Sequence, residues 1–488
     1  MEKITQLIQA LNKQEITAVR RYFKVRRENI YTERQKLFDI IVKNKGISDL
    51  ELLKKLKRRA TDPSFSMLKR RLMDDIMKVM VWESNAKTYS SKFHEAKYKC
   101  RLMIMEAELL LNRGLQTLAE DILQKAYKLA AFYELSNESI LINEQLQSYV
   151  GLRKGISSYR FYAENNLANF ELIKDKFYAQ DYFRKLTMPN LFSTNKELSY
   201  KEQSKQAMND LSKLSSKSQS VQIKYWQLRS EIYYNYVSAE YARARQFANE
   251  FIKLVQESPV VYSKDNLGGA NMQMAIIEMY LKQYVSAKKY ANEAIKNFVS
   301  GSLNMLTALD CKYVACLYNK DLAEAANILV SVKQLELYRN NNSIASKWLF
   351  YEASHKFLSN KYADALATLQ KQTELTEDKS GWRLGYKILE MMCIIELGYY
   401  DWLDYRIETF RKLLGELKKE NISRPKLIYQ VIKTFIKTAY NYKLTTAAHT
   451  QNIAQLEKAA DTYEWDPRGY EIIRFDKWWS NKIAAQVR

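Results

Sequence analysis

The chain repeats itself at intervals of about forty residues, and that recurrence limits the fold more than any other feature. Tyr241, Tyr284, Leu322, Tyr362 and Tyr400 stand 43, 38, 40 and 38 residues apart, and three residues beyond each lies Ala244, Ala287, Ala325, Ala365 or Leu403. A period of this size marks stacked supersecondary units, each able to bury its apolar face only against its neighbours. Within a unit an apolar-rich segment such as NMQMAIIEMYL (271–281) runs into a few polar residues, NKD at 319–321 or SNK at 359–361. Asparagine or glycine there suits the left-handed residue that ends a helix. The following segment carries Ala287, Ala291 and Ala294 at helical spacing. Small side chains on one face let two helices approach closely, so these alanines read as a packing requirement between paired helices.

Composition supports the helical reading. Only 12 glycines and 5 prolines occur in 488 residues, too little turn punctuation for an all-β or α/β fold. The expected class is all-α. The aromatic of the second helix at Tyr284, with small Ala275 before it and Ala287, Ala291 and Ala294 after it, resembles the tetratricopeptide family, and Tyr362 with Ala353, Ala365 and Leu369 repeats the pattern. The resemblance covers roughly 225–415; the period exceeds the family's 34 residues, its closing proline is mostly missing, and Leu403 replaces an alanine. An earlier unit is expected at 109–130, where Gly114 ends one helix. Residues 156–222 are helical but off the pattern, and LSKLSSKSQS (211–220) reads as an exposed loop.

The resemblance implies an α-solenoid of antiparallel helix pairs whose first helices line a concave, partner-binding face. Its inward positions fall on Tyr233 and Tyr236; on Met272, Ile276, Met279 and Tyr280; on Val314, Leu317 and Tyr318; on Phe350 and Phe357; and on Ile388, Met392 and Ile395. An open groove of this composition would take an amphipathic helix or an apolar peptide. A groove closed by curvature or by the chain's own C-terminus would bury the same residues as core. Some family members clamp a carboxylate with Lys and Asn on first helices; Met272, Asp310, Phe350 and Ile388 hold the matching positions here, which argues against such a clamp.

The net charge is +22, and residues 1–80 hold 20 Lys and Arg against 10 Asp and Glu. Such asymmetry favours an anionic partner at that end. Five short helices are expected over 2–10, 13–26, 34–45, 49–59 and 64–80, with capping-box spacing at Asn12/Glu15 and Ser48/Glu51. Phe65, Leu68, Leu72, Ile76 and Val79 form one apolar stripe. If the last two helices make a helix-turn-helix, Lys54, Lys55, Lys57, Arg58, Arg59, Lys69, Arg70 and Arg71 would face phosphates or base edges. The alternative is the solvated face of a small helical cap, and Asp74 and Asp75 close to the arginines weigh toward it.

Sites of chemistry are sparse. Three histidines (94, 355 and 449) lack a partner at metal-ligand spacing, and no phosphate loop, dinucleotide fingerprint, nucleophile elbow or zinc-protease motif occurs. Four cysteines make no disulfide framework and read as buried structural thiols. No cofactor, metal or catalytic residue is expected. The tyrosines read mainly as ring-buried caps of helix-pair cores, with stacking on single-stranded bases as the other reading. Trp465, Trp478 and Trp479, around Asp466-Pro467, read as the cap of the last repeat or as an aromatic hook for a partner.

The organisation expected is a basic helical module at 1–82, a tetratricopeptide-like array at 83–440 that is irregular at 156–222, and a helical cap at 441–488. No secretory segment or membrane span is apparent, so a cytoplasmic location without membrane insertion is expected. The leading expectation is a non-enzymatic interaction scaffold binding a protein partner's peptide or helix. The alternative is a nucleic-acid-binding regulator in which the repeats sense a ligand or dimerise.

Overall fold

In the computed structural model, residues 3–25, 32–44, 46–59, 62–83, 91–192, 198–371, 381–417 and 422–487 are described. Among them there is no strand, and two units separate, Met1–Glu95 and Ala96–Arg488.

The first unit contains helices Lys3–Ala10, Lys13–Val25, Glu33–Lys43, Asp49–Lys55 and Ser64–Glu83. Asn12 and Glu15 satisfy each other's backbone amides at 2.8 and 3.0 Å, and Ser48 with Glu51 forms a capping box. The stripe from Phe65 to Val79 is buried against Val19, Leu37, Phe38 and Leu52. Asp75 is buried and pairs with Arg34.

The second unit is an α-solenoid of tetratricopeptide-like helix pairs. Its early portion pairs Lys92–Leu111 with Gln116–Phe132 around Gly114 at φ +73°, and continues through Ser136–Leu146 to the 37-residue helix Ile156–Phe192. Helix Leu198–Lys217 overturns the loop expected at 211–220, leaving only 218–220 outside helix. Serine-rich composition suggested a loop, but Leu211 is fully buried against Ala179 and Ile223, and that burial outweighs local propensity. Glu134 then reaches across the chain, accepting from Ser220 Oγ at 2.6 Å and Val221 N at 2.7 Å, so a carboxylate occupies the N-terminus of the first regular helix.

Five regular pairs follow: Val221–Val237 with Tyr241–Glu257, Lys264–Tyr280 with Tyr284–Asn297, Leu303–Tyr318 with Leu322–Lys333, Asn342–Leu358 with Tyr362–Gln370, and Trp382–Leu397 with Tyr400–Glu416. Ser220, Ser263, Ser302 and Asn341 cap four of the first helices, each contributing about 1 kcal/mol. The first helices end in the same way, with one left-handed residue: Ala239, Lys282, Lys320, Asn360 and Gly398. The next amide bonds back five residues, as in Gln283 N to Glu278 O at 2.8 Å and Asp321 N to Cys316 O at 2.9 Å. The asparagine expectation holds at Asn360 but misses by one in NKD, where Lys320 and not Asn319 takes the left-handed conformation. Ala287, Ala291, Ala294, Ala325, Ala353 and Ala365 have no exposed surface, consistent with close pairing, and Leu403 is equally buried.

Ser423–Lys437, Tyr442–Ala448 and Thr450–Lys458 extend the array, and Phe475–Val487 ends it. Trp479 is fully buried, its ring 5.3 Å from Phe435 and 4.8 Å from Tyr442. Trp478 donates to Glu396 Oε1 at 2.6 Å, and Glu396 also pairs with Lys482. These tryptophans cover the end of the stack, while Trp465 has a different place.

Candidate functional site

Between the turn at Asp461–Tyr463 and the last helix, residues 465–473 form an irregular strap lying on the first helices of the central pairs. Asp466-Pro467-Arg468-Gly469 is a β-turn closed by Gly469 N to Asp466 O at 3.0 Å, with Arg468 N also donating to Asp466 Oδ1 at 2.8 Å. Proline at the second position and aspartate at the first suit that turn.

Two phenols fasten it. Tyr280 donates to Asp466 Oδ1 at 2.8 Å and Tyr318 to Pro467 O at 2.9 Å. Tyr236 lies behind Tyr280, its hydroxyl 3.0 Å away. Burial drives the Tyr280 and Tyr318 hydroxyls far above the ordinary phenol range, so they remain donors throughout accessible pH. Trp465 packs edge-on against Tyr318 at 5.4 Å and donates to Glu471 O at 2.9 Å.

Further along, Tyr470 to Ile473 lie against Phe350, Ser354, Gly385, Ile388 and Met392. Gly385 has a specific role: a Cβ there would stand 2.2 Å from Tyr470 O, so only glycine admits the strap backbone at this distance. The strap's far end is held by an ion network. Arg424, 4% exposed, makes two hydrogen bonds to Glu471 at 2.5 and 2.9 Å, one to Asp476 at 2.6 Å and one to Leu456 O at 2.8 Å. Arg474 also pairs with Asp476 at 2.7 Å, and Phe475 N donates to Glu471 at 2.7 Å. Charges are thereby desolvated but matched, the condition under which a buried network is tolerated.

Arg468 is half-buried among the groove tyrosines. Burial opposes its charge, while Cys311, Asp310, Tyr236 and Tyr280 hold its guanidinium above the ordinary range. Asp310 pairs with Lys347 at 2.7 Å, leaving its Oδ1 buried without a hydrogen-bond partner among the described residues.

The structure brings Tyr236, Tyr280, Tyr318, Leu317, Phe350, Phe357, Ile388 and Met392 around the strap and its edge. Tyr233 instead packs beside Leu186, Ala207 and Met208. Met272, Met279, Val314 and Ile395 are buried in the core shared by successive pairs, and Ile276 packs half-buried against it. Sequence reasoning did not single out Asp466, Arg468, Tyr470, Gly385 or Arg424 as groove residues. The Asp466-Pro467 turn was the available signal, but nothing local indicated which surface it meets.

Of the N-terminal cations, Lys55 bonds Asn44 at 2.9 Å, Arg58 pairs with Asp62 at 2.8 Å and with Glu33, and Lys69 pairs with Asp49 at 2.7 Å. Lys54, Lys57, Arg59, Arg70 and Arg71 are exposed and hold no ion pair among the described residues.

All four cysteines are buried and free of disulfides. Burial raises the Cys100 thiol to about 11 and those of Cys311, Cys316 and Cys393 to about 12, so none is a ready nucleophile. No group of three or more His, Cys, Asp or Glu among the described residues is placed to hold a metal, and no helix there is long and apolar enough to cross a membrane.

No family model matches the sequence, and no curated protein matches it. Among solved structures, the chain is similar to a STAND-type signal-transduction ATPase with a tetratricopeptide repeat sensor from Pyrococcus horikoshii, at 14% identity and a TM-score of 0.30. That match covers 75% of this chain and 63% of the other, so the chain spans less than two thirds of that protein.

Proposed function

We propose that this protein is a non-enzymatic interaction scaffold whose concave face binds a partner's peptide, and that the strap at 465–473 occupies the face as an intramolecular ligand. The observation carrying this reading is that Tyr280 and Tyr318, both inward positions of the repeat pattern, donate to Asp466 and Pro467. One phenol bonds the strap's backbone at Pro467 O and the other the Asp466 carboxylate, Gly385 admits the backbone and the walls are apolar, contacts of the kind a peptide groove makes. The partner segment would carry an aromatic residue, a turn and an apolar stretch, as the strap does.

The test uses the full chain with the strap disabled by Asp466→Ala, Arg468→Ala and Tyr470→Ala. A fluorescent peptide copying residues 461–474 should then bind in trans, adding Tyr280→Phe and Tyr318→Phe should weaken that binding, and deleting residues 1–82 should not. Failure of the peptide to bind a variant that keeps its helical circular dichroism would reject the reading.

A second reading rests on Lys54, Lys57, Arg59, Arg70 and Arg71, exposed without ion pairs in a segment of net positive charge. They could contact nucleic-acid phosphates, with the repeats as sensor or dimerisation element. Anisotropy of labelled DNA and RNA across a salt series tests it: phosphate binding should weaken steeply with salt and vanish when these cations are neutralised. Unchanged binding after neutralisation would reject it.

A further inference from the structure

Beside the strap lies an open cleft of about 640 Å³ whose charged edge the concave-face reading does not use. Its apolar and aromatic walls come from Leu317, Tyr318, Phe357, Trp465, Ile472 and Trp478. Its charged lining is one-sided: Lys282, Lys320, Arg474, Lys477 and Lys482 against the single carboxylate Glu396. Glu396 is already committed to Trp478 and Lys482, and Arg474 to Asp476. Lys282, Lys320 and Lys477 are exposed and have no carboxylate partner among the described residues. The cleft therefore carries an uncompensated positive field over an apolar floor.

A second observation concerns the backbone. Lys282 and Lys320 occupy the left-handed position in successive units, at φ +59° and +62°, where glycine or asparagine would be unstrained. The equivalent position of the next unit, Asn360, lines the same cleft. Three consecutive inter-helix turns thus present side chains along one edge of the cleft, two of them lysines.

We infer that this cleft binds a short acidic peptide segment of a partner protein, with one or two apolar or aromatic side chains on the floor and flanking carboxylates between the turn lysines and Lys477. Charge complementarity selects the sign, and the run of the cleft across three units selects a linear chain over a compact ligand. The turn amides of Lys282, Lys320 and Asn360 are already bonded to the carbonyls of Met279, Leu317 and Phe357 at 3.1, 3.1 and 2.9 Å, which leaves long exposed lysines to meet a ligand and suits dispersed carboxylates better than one phosphate group. The site adjoins the concave face, sharing Leu317, Tyr318 and Phe357 with it, and the strap supplies one wall.

The probe is a fluorescein-labelled octapeptide, DELFEDLE, titrated by anisotropy into the full-length protein. Binding should weaken by roughly tenfold or more in Lys282→Glu/Lys320→Glu/Lys477→Glu, and it should fall with added salt. An all-glutamate octapeptide should bind distinctly more weakly, because it leaves the apolar floor empty. Hydrogen exchange of residues 465–473, read in the same samples, should stay protected. Equal binding to the triple variant, equal binding of the all-glutamate peptide, or tighter binding of ATP would each overturn the inference. If the peptide binds while the strap loses protection, it is competing for the concave face, which overturns the cleft assignment but supports the scaffold reading.

Discussion

Replacing Gly385 with alanine tests the strap's position through the sign of a stability change. Gly385 lies within the helix Trp382–Leu397, where alanine in place of glycine stabilises an unobstructed helix by roughly 0.5–1 kcal/mol. At this position the new Cβ would meet Tyr470 O at 2.2 Å and Tyr470 C at 3.0 Å. Ordinary carbon–oxygen contact is about 3.3 Å, so the strap backbone must retreat by about 1 Å. The nearby bonds Tyr318 to Pro467 and Tyr280 to Asp466, at 2.9 and 2.8 Å, would lengthen past useful range. Each contributes about 0.5–1.5 kcal/mol, overpacking costs about 1–3 kcal/mol, and after the helix gain a net loss of about 1–5 kcal/mol remains. Urea denaturation reads the loss. Faster hydrogen exchange over 466–473 and trypsin cleavage after Arg468 locate it in the strap. Stabilisation of about 0.5–1 kcal/mol with unchanged strap protection would refute the reasoning, since it would mean that nothing stands over Gly385.

Arg424→Met leaves Glu471 and Asp476 buried without their main counter-charge and should destabilise by about 3–5 kcal/mol, read as a lowered urea midpoint with helical content retained at low urea. Ala291→Leu forces a large side chain into a fully buried seam; a loss of about 1–3 kcal/mol by thermal or urea unfolding is expected, against a small change for Ala242→Leu on the exposed side of a second helix. His449 should make stability pH-dependent. Burial lowers its pKa below the usual 6.5, and the ring spans Thr434 Oγ1 at 2.7 Å and Asn452 Nδ2 at 2.9 Å. The unfolded chain then binds the proton more readily, so the contribution is full above about 6.5 and is lost as pH falls toward the lowered folded value. Denaturation midpoints at pH 7.5 and 5 should diverge less in His449→Asn than in the parent, and an equal divergence would count against this assignment.

The pairs and their spacing were legible because they follow from local rules. A left-handed terminator, an opener and an alanine three residues on recur in sequence order, and each contact they specify lies within a unit or between neighbours. The same logic failed in two instructive places. Lys320 rather than Asn319 takes the left-handed position, because where the helix ends is fixed by its bond from Asp321 N to Cys316 O and not by which residue tolerates the conformation best. At 211–220 the serines suggested a loop, while Leu211, packed against segments on either side, keeps the chain helical. The strap was illegible for another reason. Its contacts to Tyr280 and Tyr318 span 186 and 149 residues, a distance over which periodicity carries no information. Residues 462–483 could be read as a terminal cap because Trp478 and Trp479 do form one. Nothing in the spacing showed that Trp465, on the other side of Asp466-Pro467, meets a different surface.

That division within one short segment bears on how the concave face could be used. The Arg424 network and Glu396 anchor residues 471–482 from one side, whereas residues 466–470 are held chiefly by two phenol bonds and the close approach at Gly385. Loss of the turn therefore need not unfold the cap, and on the proposed reading the strap would leave and return as a tethered ligand. A tether this short confers an effective concentration in the millimolar range. A trans peptide making the same contacts would then be outcompeted unless it added contacts the strap lacks or reached the face when the turn was displaced. The apparent affinity for such a peptide should rise sharply when the strap is disabled, while binding in the lysine-lined cleft, away from Asp466 and Pro467, should change only to the extent that Trp465 and Ile472 leave its wall. Comparing the two affinities in one strap variant separates competition for the groove from general loosening of the array, because loosening would weaken both.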